Sequence, residues 1–191
     1  SSFDKFIATM EELKTIESEK AETIKGFIIA QLASNVDARI FEIVSFAILK
    51  NYYSEQSIYF GWTLETVAEE KLSLYKTGRT NANDGGIDFV MKPLGRFFQV
   101  TESTDVKKYF LDIDKLEKFP ITFVVKSTES VEDLRMKIYQ GAVQQYRIER
   151  VVEKYMSCVE EIINIEKLMA LLHEIGIKSQ LRNVLQEIIT Q

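Results

Sequence analysis

The stretch from Leu74 to Glu102 decides how the rest of the chain is interpreted, and it reads L-Y-K-T-G-R-T-N-A-N-D-G-G-I-D-F-V-M-K-P-L-G-R-F-F-Q-V-T-E. Its loop, residues 77–86, is rich in Gly, Asn, Thr and Asp. Two short apolar runs follow, Ile87–Lys92 and Arg96–Thr101, and their composition is typical of strands. Because Pro93-Leu94-Gly95 separates them, the pattern predicts a β-hairpin with a tight turn.

The expected register of this hairpin places polar side chains on one face. If the turn is the two-residue Leu94-Gly95, Asp88 lies opposite Thr101 and Val90 opposite Gln99. Cross-strand neighbours on one face lie about 5 Å apart. The register therefore predicts that Asp88, Gln99 and Thr101 share one side of the sheet, whereas Glu102 points to the other.

Upstream of the hairpin, the apolar periodicity predicts mainly helices. Phe3 to about Leu32 has helical spacing with a charged opposite face, and Ala38 to about Tyr53 is a strongly apolar helix that contains a single acid, Glu42. Residues 57–62 have strand composition, and Leu64 to Tyr75 returns to helical periodicity. A carboxylate within so apolar a helix needs a partner, and Arg39 is one candidate.

Downstream, the pattern predicts a charged helix from Val106 to Lys118, a strand over residues 121–125, and helix from about Ser130 to the end. Gly176 is expected to break that last region before a final helix, Lys178–Ile189. This order describes a mixed α/β core with helical flanks. We expect one domain over residues 1–191. Its parts are an N-terminal helical extension (1–34), a core (37–126) and C-terminal helices (130–191).

Composition limits the possible classes of function. The chain has 191 residues, of which 46% are hydrophobic and 28% charged, as in a globular protein, and its net charge is −5. Any DNA-binding surface is therefore local. The single cysteine, Cys158, excludes an internal disulfide and predicts a reducing cytoplasm, and the single histidine, His173, argues against a zinc site. We find no signal peptide and no apolar run of about 18 residues. The first residue is Ser1 rather than methionine, which is compatible with a trimmed or partial chain.

The hairpin residues suit a hard divalent cation. The carboxylate of Asp88 and the amide oxygen of Gln99 are oxygen ligands of the kind that Mg²⁺ accepts beside several waters. Lys76 and Arg79, in the preceding loop, would favour a phosphate backbone nearby. Simpler alternatives remain: Asp88 bonds turn amides, Gln99 bonds across the hairpin, and the two cations are solvated. Asp84 is interpreted as a turn residue rather than a second ligand.

The motif also carries a resemblance. The run N-D-G-G-I-D-F-V, followed after a short turn by F-F-Q-V-T, resembles the PD-(D/E)XK nuclease superfamily, in the branch with G-I-D on the second core strand and Q-x-K on the third. The helix R-I-F-E-I-V-S-F-A-I-L is similar to the first core helix of that branch. The combination with L-Y-K-T-G-R-T also resembles the HaeII-like restriction endonucleases. The likeness runs from about Asp37 to Lys126.

The resemblance implies an α-β-β-β-α-β core and Mg²⁺-dependent cleavage of double-stranded DNA, as in type II restriction enzymes, with no membrane partner. It implies that Asp88 is the central metal ligand, that Gln99 replaces an acid, and that Glu42 assists from the first helix. A homodimer would match palindromic DNA, with the C-terminal helices as the expected contact.

One position departs from the family pattern. Thr101 stands where lysine is expected, and its hydroxyl supplies no positive charge to the reaction. Lys126 and Lys76 are candidate replacements, whereas Lys92 lies about 13 Å along the strand from Asp88. The literal D-x-K at residues 105–107 is interpreted as the start of a helix and not as the site. Two other readings therefore stay open, namely an inactive DNA-binding module and a structural or interaction protein.

Overall fold

The chain folds into helices and strands of the mixed α/β class, which confirms the class predicted from the sequence. A computed structural model describes residues 1–14, 21–77, 86–102 and 105–191. The helices are α1 (Ser2–Lys14), α2 (Ala21–Ala30), α3 (Ala38–Ser54), α4 (Lys107–Lys115), α5 (Val131–Tyr146), α6 (Glu149–Ser157), α7 (Ile165–Ile177) and α8 (Leu181–Ile189). The strands are β1 (Ser57–Phe60), β2 (Ala68–Lys71), β3 (Ser73–Lys76), β4 (Phe89–Lys92), β5 (Arg96–Thr101), β6 (Ile121–Val125) and β7 (Val159–Ile163).

These elements form two compact units. The first contains Ser1–Leu72 and Glu166–Gln191, and the second contains Ser73–Ile165. The division into extension, core and C-terminal helices that the sequence suggested stays a prediction. Within the described part of the chain, no helix has the length and apolar character needed to cross a membrane.

The first unit is built around α3. The Asp37 side chain accepts a hydrogen bond of 2.9 Å from the Arg39 amide and so caps the start of this helix. Most of α3 is buried, as its apolar sequence predicted, and α8 packs against it. Helices α1 and α2 also pack on α8, and β1 and β2 form a separate antiparallel pair.

The second unit is built around a five-stranded sheet in the order β3-β4-β5-β6-β7. Neighbours are antiparallel as far as β5, and β5, β6 and β7 are parallel to one another. Strand β6 lies between two parallel neighbours and is buried at every position, which explains its continuous apolar run I-T-F-V-V. Its residues Ile121, Phe123 and Val125 form a core with side chains from α4, α5 and α6.

One predicted helix is wrong at the level of secondary structure. Leu64 to Tyr75 forms only a short 3₁₀ turn, Leu64–Thr66, before β2 and β3. Leu72 and Leu74 are buried while Ser73 is exposed, so their spacing has the period of two typical of a strand. Residues 68–71 become a strand because they pair with β1, and this tertiary contact overrides a weak helical pattern.

The region after Ser130 is also not helical throughout. Strand β7 interrupts it, and this strand pairs with β6 through its β-branched residues Val159, Ile162 and Ile163. Apolar residues at helical spacing on both sides concealed the strand in the sequence. The predicted final helix exists, but it begins at Leu181. The break falls at Ser179, whose φ is +57°, and Gly176 lies inside α7.

Candidate functional site

The β4–β5 hairpin has a different register from the predicted one. Phe89 pairs with Phe98 and Met91 with Arg96, so the loop has four residues, 92–95, instead of two. A two-residue turn would require Pro93 to pair across the hairpin, and proline has no amide hydrogen to donate. Gly95 closes the longer loop at φ +64°, where its amide donates to the Met91 carbonyl at 2.9 Å.

The corrected register brings Asp88 next to Gln99 rather than opposite Thr101. The Asp88 amide donates to the Phe98 carbonyl at 3.2 Å, and the Val100 amide donates to Asp88 Oδ2 at 2.7 Å. Asp88 is therefore held between the two residues that flank Gln99. The predicted placement of Asp88 opposite Thr101, and of Val90 opposite Gln99, is wrong.

Asp88 also has a structural role at this strand end. Its carbonyl accepts a 3.2 Å hydrogen bond from the Thr77 amide, and the Thr77 hydroxyl donates to the Ile87 carbonyl. Its carboxylate extends the ladder by serving as the acceptor for Val100. The Asp88 carboxylate therefore bonds a backbone amide, as the simpler interpretation of this residue expected.

Gln99 supplies an unusual polar atom at the centre of β5. Its side-chain oxygen Oε1 is buried and has no hydrogen-bond partner among the residues that the structure describes. A buried amide oxygen without a donor is costly, and native proteins satisfy most such atoms. A cation beside the Asp88 carboxylate would satisfy it. The Asp88–Gln99 pair therefore fits the ligand chemistry of Mg²⁺, which accepts one or two protein oxygens and keeps several waters.

Thr101, at the position of the expected lysine, is buried with 4% of its surface exposed. It lies opposite Val125 in the parallel ladder, and its carbonyl accepts a 2.8 Å hydrogen bond from the Lys126 amide. Glu102 is exposed, in agreement with the prediction that it points away from Thr101. The threonine side chain carries no charge, so any cation at this site has to come from another residue.

The two candidate lysines have different surroundings. The Lys126 ammonium lies 2.8 Å from Glu102 Oε1, and only 7% of its side chain is exposed. Lys76 is the last residue of β3 and pairs with Phe89, so it lies one ladder position from Asp88. Lys126 therefore has a carboxylate as its neighbour. Lys76 is directly opposite Phe89 and shares its face of the sheet, and successive strand residues alternate between faces, so Asp88 is on the other face.

The remaining predicted site residues are not brought together by what the structure describes. Glu42 is half-buried on α3 in the first unit, and Asp88 belongs to the second. Arg79 and Asp84 lie outside the described residues. Asp105 accepts a 3.0 Å hydrogen bond from the Lys107 amide at the start of α4, which confirms that this D-x-K is a helix start. Among described residues, no three His, Cys, Asp or Glu side chains cluster as metal ligands would.

Asp112 is a polar residue that the sequence reasoning missed. It lies on α4 with 4% of its surface exposed, and its Oδ2 has no hydrogen-bond partner in the described ranges. Burial raises the pKa of Asp112, although Lys115, 3.9 Å from Oδ1, lowers it. The signal was present in the sequence as an acid between Tyr109 and Ile113, two apolar positions on one helix face.

Arg96 was also missed as a fixed cation of the sheet. Its guanidinium forms ion pairs with Glu160, at 3.1 Å, and with Glu161. It also donates to the Thr122 hydroxyl at 2.8 Å. The arginine therefore ties β5 to β6 and β7. No spacing in the sequence connects residues 96 and 161, so only the sheet order reveals this contact.

A cavity of about 820 Å³ lies between the start of α4 and α5 in the same unit. It is lined by two lysines, Lys107 and Lys137, and by the amide side chains of Gln140, Gln144 and Gln145. Gly141 approaches Val106 here so closely that an added Cβ would lie 2.4 Å from a valine methyl. None of the residues that the sequence assigned to the site lines this cavity, so cavity size does not identify the Asp88–Gln99 pair.

Comparison with known proteins does not identify a family, so the functional argument rests on the geometry of the site. The chain matches no protein-family model, no curated protein and no solved structure at a significant level.

Proposed function

We propose that this protein is a magnesium-dependent endonuclease that hydrolyses phosphodiester bonds of double-stranded DNA, in the manner of type II restriction enzymes. The observation that carries the proposal is that Asp88 is hydrogen-bonded to Phe98 and Val100, the two residues that flank Gln99 on β5. Asp88 brings a carboxylate, and Gln99 brings a buried amide oxygen that has no donor within the described residues.

The order of elements in the second unit supports the proposal. Strands β3, β4 and β5 form an antiparallel meander, and α4 then crosses over to β6, which is parallel to β5. This β-β-β-α-β sequence agrees with the PD-(D/E)XK core that the G-I-D and Q-V-T motifs suggest. A further helix, α3, precedes it in the chain. Asp88 lies just before the second strand of the meander and Gln99 lies within the third, as in the family pattern.

Each residue of the proposed site has a separate role. The Val100 amide orients the Asp88 carboxylate by a 2.7 Å hydrogen bond, so that this charge is fixed before substrate arrives. The Gln99 oxygen would complete the protein ligands. Bound Mg²⁺ would supply water activation and neutralise charge on the phosphate. Lys76, which pairs with Phe89 in the ladder, would hold the DNA backbone together with Arg79 and Lys126.

Plasmid cleavage with Mg²⁺ tests the site through a pair of Asp88 variants. Asp88→Asn keeps an oxygen that accepts from the Val100 amide but removes the charge, whereas Asp88→Ala removes both. We expect both variants to lose cleavage by at least about 100-fold, because the charge is what holds the metal. An Asp88→Asn variant with undiminished cleavage would contradict the metal site.

Calorimetry with Mn²⁺ or Mg²⁺ provides a readout that does not depend on activity. We expect Gln99→Glu to bind the cation more tightly than the native chain and Gln99→Leu to bind it more weakly, since a carboxylate is the stronger ligand. Asp105→Ala, in the rejected D-x-K, is the matched control and should bind the cation as the native chain does.

A non-catalytic DNA-binding module is the second candidate, and Thr101 is the observation that favours it. A buried, uncharged side chain occupies the lysine position, and the Lys126 ammonium is paired with Glu102. This candidate predicts DNA binding that weakens with salt and no cleavage with any divalent metal. We expect Thr101→Lys to increase cleavage if the nuclease proposal is right, and to leave it absent if the module has lost the site altogether.

A further inference from the structure

The cavity between α4 and α5 is separate from the proposed metal site, and one close contact fixes its position. Val106, which immediately precedes α4, packs on Gly141 of α5, and both residues line the cavity. A Cβ added at Gly141 would lie 2.4 Å from a Val106 methyl, so a larger residue would push the start of α4 away. The cavity volume of about 820 Å³ falls within the range of roughly 300–1,000 Å³ that is typical of small-molecule sites.

Helix α5 lines the cavity with polar side chains from one of its faces. Lys137, Gln140 and Gln144 recur at i, i+3 and i+7, which places them along one side of the helix. Gln140 and Gln144 are exposed, and the neighbouring Gln145 donates a 3.2 Å hydrogen bond to the Tyr146 hydroxyl. Each primary amide carries a donor and an acceptor side by side. This pair matches the donor and acceptor atoms along the edge of a nucleobase.

Phe110 supplies the apolar part of the lining, together with Val106. The Phe110 ring contacts the rings of Tyr146 and Tyr155 edge-on, with 5.5 Å between the centroids in both cases. These contacts hold the phenylalanine ring in one position. A purely apolar ligand would leave the glutamine amides desolvated and without partners, which is costly. The ligand that fits both parts of the lining is a flat ring with hydrogen-bonding groups on its edge.

The charge balance limits how much phosphate the ligand carries. Two lysines, Lys107 and Lys137, and one carboxylate, Asp105, line the cavity. Outside the lining, Asp133 lies one turn before Lys137 on α5, and Glu129 is paired with Lys137. Solvent screens this pair, because 55% of the lysine side chain and 41% of the glutamate side chain are exposed, so a phosphate can compete for the lysine. The region has no excess of positive charge, so it suits a single phosphate and gives little attraction for duplex DNA.

We propose that this cavity binds a nucleoside monophosphate. The amides of Gln140 and Gln144 would bond the edge of the base. Lys107 and Lys137 would bind the phosphate, and Phe110 would contact the ring. The inference does not rest on the proposed nuclease function, because none of the residues that form the proposed metal site lines the cavity.

Isothermal titration calorimetry in EDTA tests this binding without any metal. The probes are AMP, GMP, CMP and UMP, and we expect at least one to saturate the native chain with a dissociation constant below about 1 mM. Gln140→Leu with Gln144→Leu should weaken the binding of the preferred nucleotide by roughly 10-fold or more and reduce its preference over the other three. Lys107→Gln with Lys137→Gln should instead weaken all four by a similar factor and reduce the dependence on salt.

Two matched controls lie outside the cavity. Gln186→Leu on α8 and Lys108→Gln on α4 replace exposed side chains that do not line it, and both variants should bind nucleotide as the native chain does. Thermal melting checks that each variant is folded. Plasmid cleavage with Mg²⁺ should be the same in the cavity variants and in the native chain, so a failure of this proposal is distinguishable from a failure of the nuclease proposal.

Two results would overturn the inference directly. One is the absence of saturation by all four nucleotides up to about 10 mM, and the other is binding that both cavity variants leave unchanged. A third result, binding of a duplex oligonucleotide that the cavity variants weaken without binding of any monophosphate, would assign the cavity to nucleic acid and would also overturn it.

Discussion

The two hairpins β1–β2 and β4–β5 have similar apolar content and opposite exposure. Trp62 and Leu64 of the first are almost fully exposed, whereas Phe89 and Phe98 of the second have no exposed surface. The difference lies in what surrounds the strands. The β4–β5 hairpin has β3 on one side and β6 on the other, while β1 and β2 form a sheet of two strands. A two-stranded sheet has too little surface around it to bury its own side chains.

The comparison teaches that apolar content predicts strands better than it predicts burial. In the buried hairpin, the exception is Gln99, because its side-chain oxygen is buried and has no hydrogen-bond partner among the described residues. In the exposed hairpin, the exceptions are Trp62 and Leu64, because these large apolar side chains are in contact with solvent. Each hairpin therefore contains residues whose polarity does not match their surroundings.

Truncation of the buried hairpin should give the largest loss of stability. Phe98→Ala empties a fully buried position at the centre of β5, and we expect it to lower the free energy of unfolding by about 3–5 kcal/mol. Urea denaturation followed by circular dichroism measures this loss. A loss below about 1 kcal/mol would show that the sheet is less tightly packed than its burial indicates.

Gly61→Ala should disrupt the exposed hairpin while leaving the buried one intact. The added methyl group would lie 2.6 Å from the Val67 nitrogen, and backbone cannot move aside as a flexible side chain can. We expect a local destabilisation of up to about 3 kcal/mol. Hydrogen exchange should become faster in β1 and β2 and stay unchanged in β4 and β5. Equal acceleration in both hairpins would contradict their independence.

Asp88 variants should measure how much the hydrogen bond from the Val100 amide to Asp88 contributes to the stability of β4–β5. Asp88→Ala leaves the Val100 amide without its acceptor, and we expect a loss of about 1–2 kcal/mol. Asp88→Asn retains an acceptor oxygen and should keep most of the stability. Thermal unfolding of the two variants at the same pH makes the comparison. If both lose the same stability, the charge rather than the hydrogen bond stabilises this strand end.

Burial destabilises the charged form of Asp112, which lies in the same unit as β4–β5. Its pKa is raised in the folded state, so its contribution to stability is fully present below the unfolded value of 3.8 and is lost as pH rises through the folded pKa. An asparagine side chain at this position does not ionise. We therefore expect Asp112→Asn to be more stable than the native chain at neutral pH, by about 0.5–1 kcal/mol. The advantage should disappear below pH 3.8, as unfolding at several pH values would show.

Trp62→Ala should have the smallest effect on folding. Its side chain is 91% exposed, and substitutions at such positions usually change stability by less than about 0.5 kcal/mol. Urea denaturation beside Phe98→Ala gives the direct contrast between the hairpins. A loss as large as that of Phe98→Ala would mean that Trp62 is covered in solution, and sedimentation would then show whether a second copy covers it.

Much of the fold follows from local pattern. The sequence predicted helix α3, strands β4 and β5, helix α4 and strand β6, because the periodicity or composition of each is strong. The missed elements, β2, β3 and β7, have short or ambiguous patterns. Their conformation depends on a partner strand, and β7 pairs with residues about 40 positions earlier in the chain.

The sequence by itself determined which residues carry the candidate chemistry: an aspartate, an amide and a threonine on two consecutive strands. Only the tertiary structure decided how they meet. Because Pro93 cannot donate a ladder hydrogen bond, the hairpin closes one pair earlier, and Asp88 comes beside Gln99 instead of Thr101. Exposure of Trp62 and burial of Asp112 were likewise decided by the packing around them, because burial depends on neighbours distant in the chain.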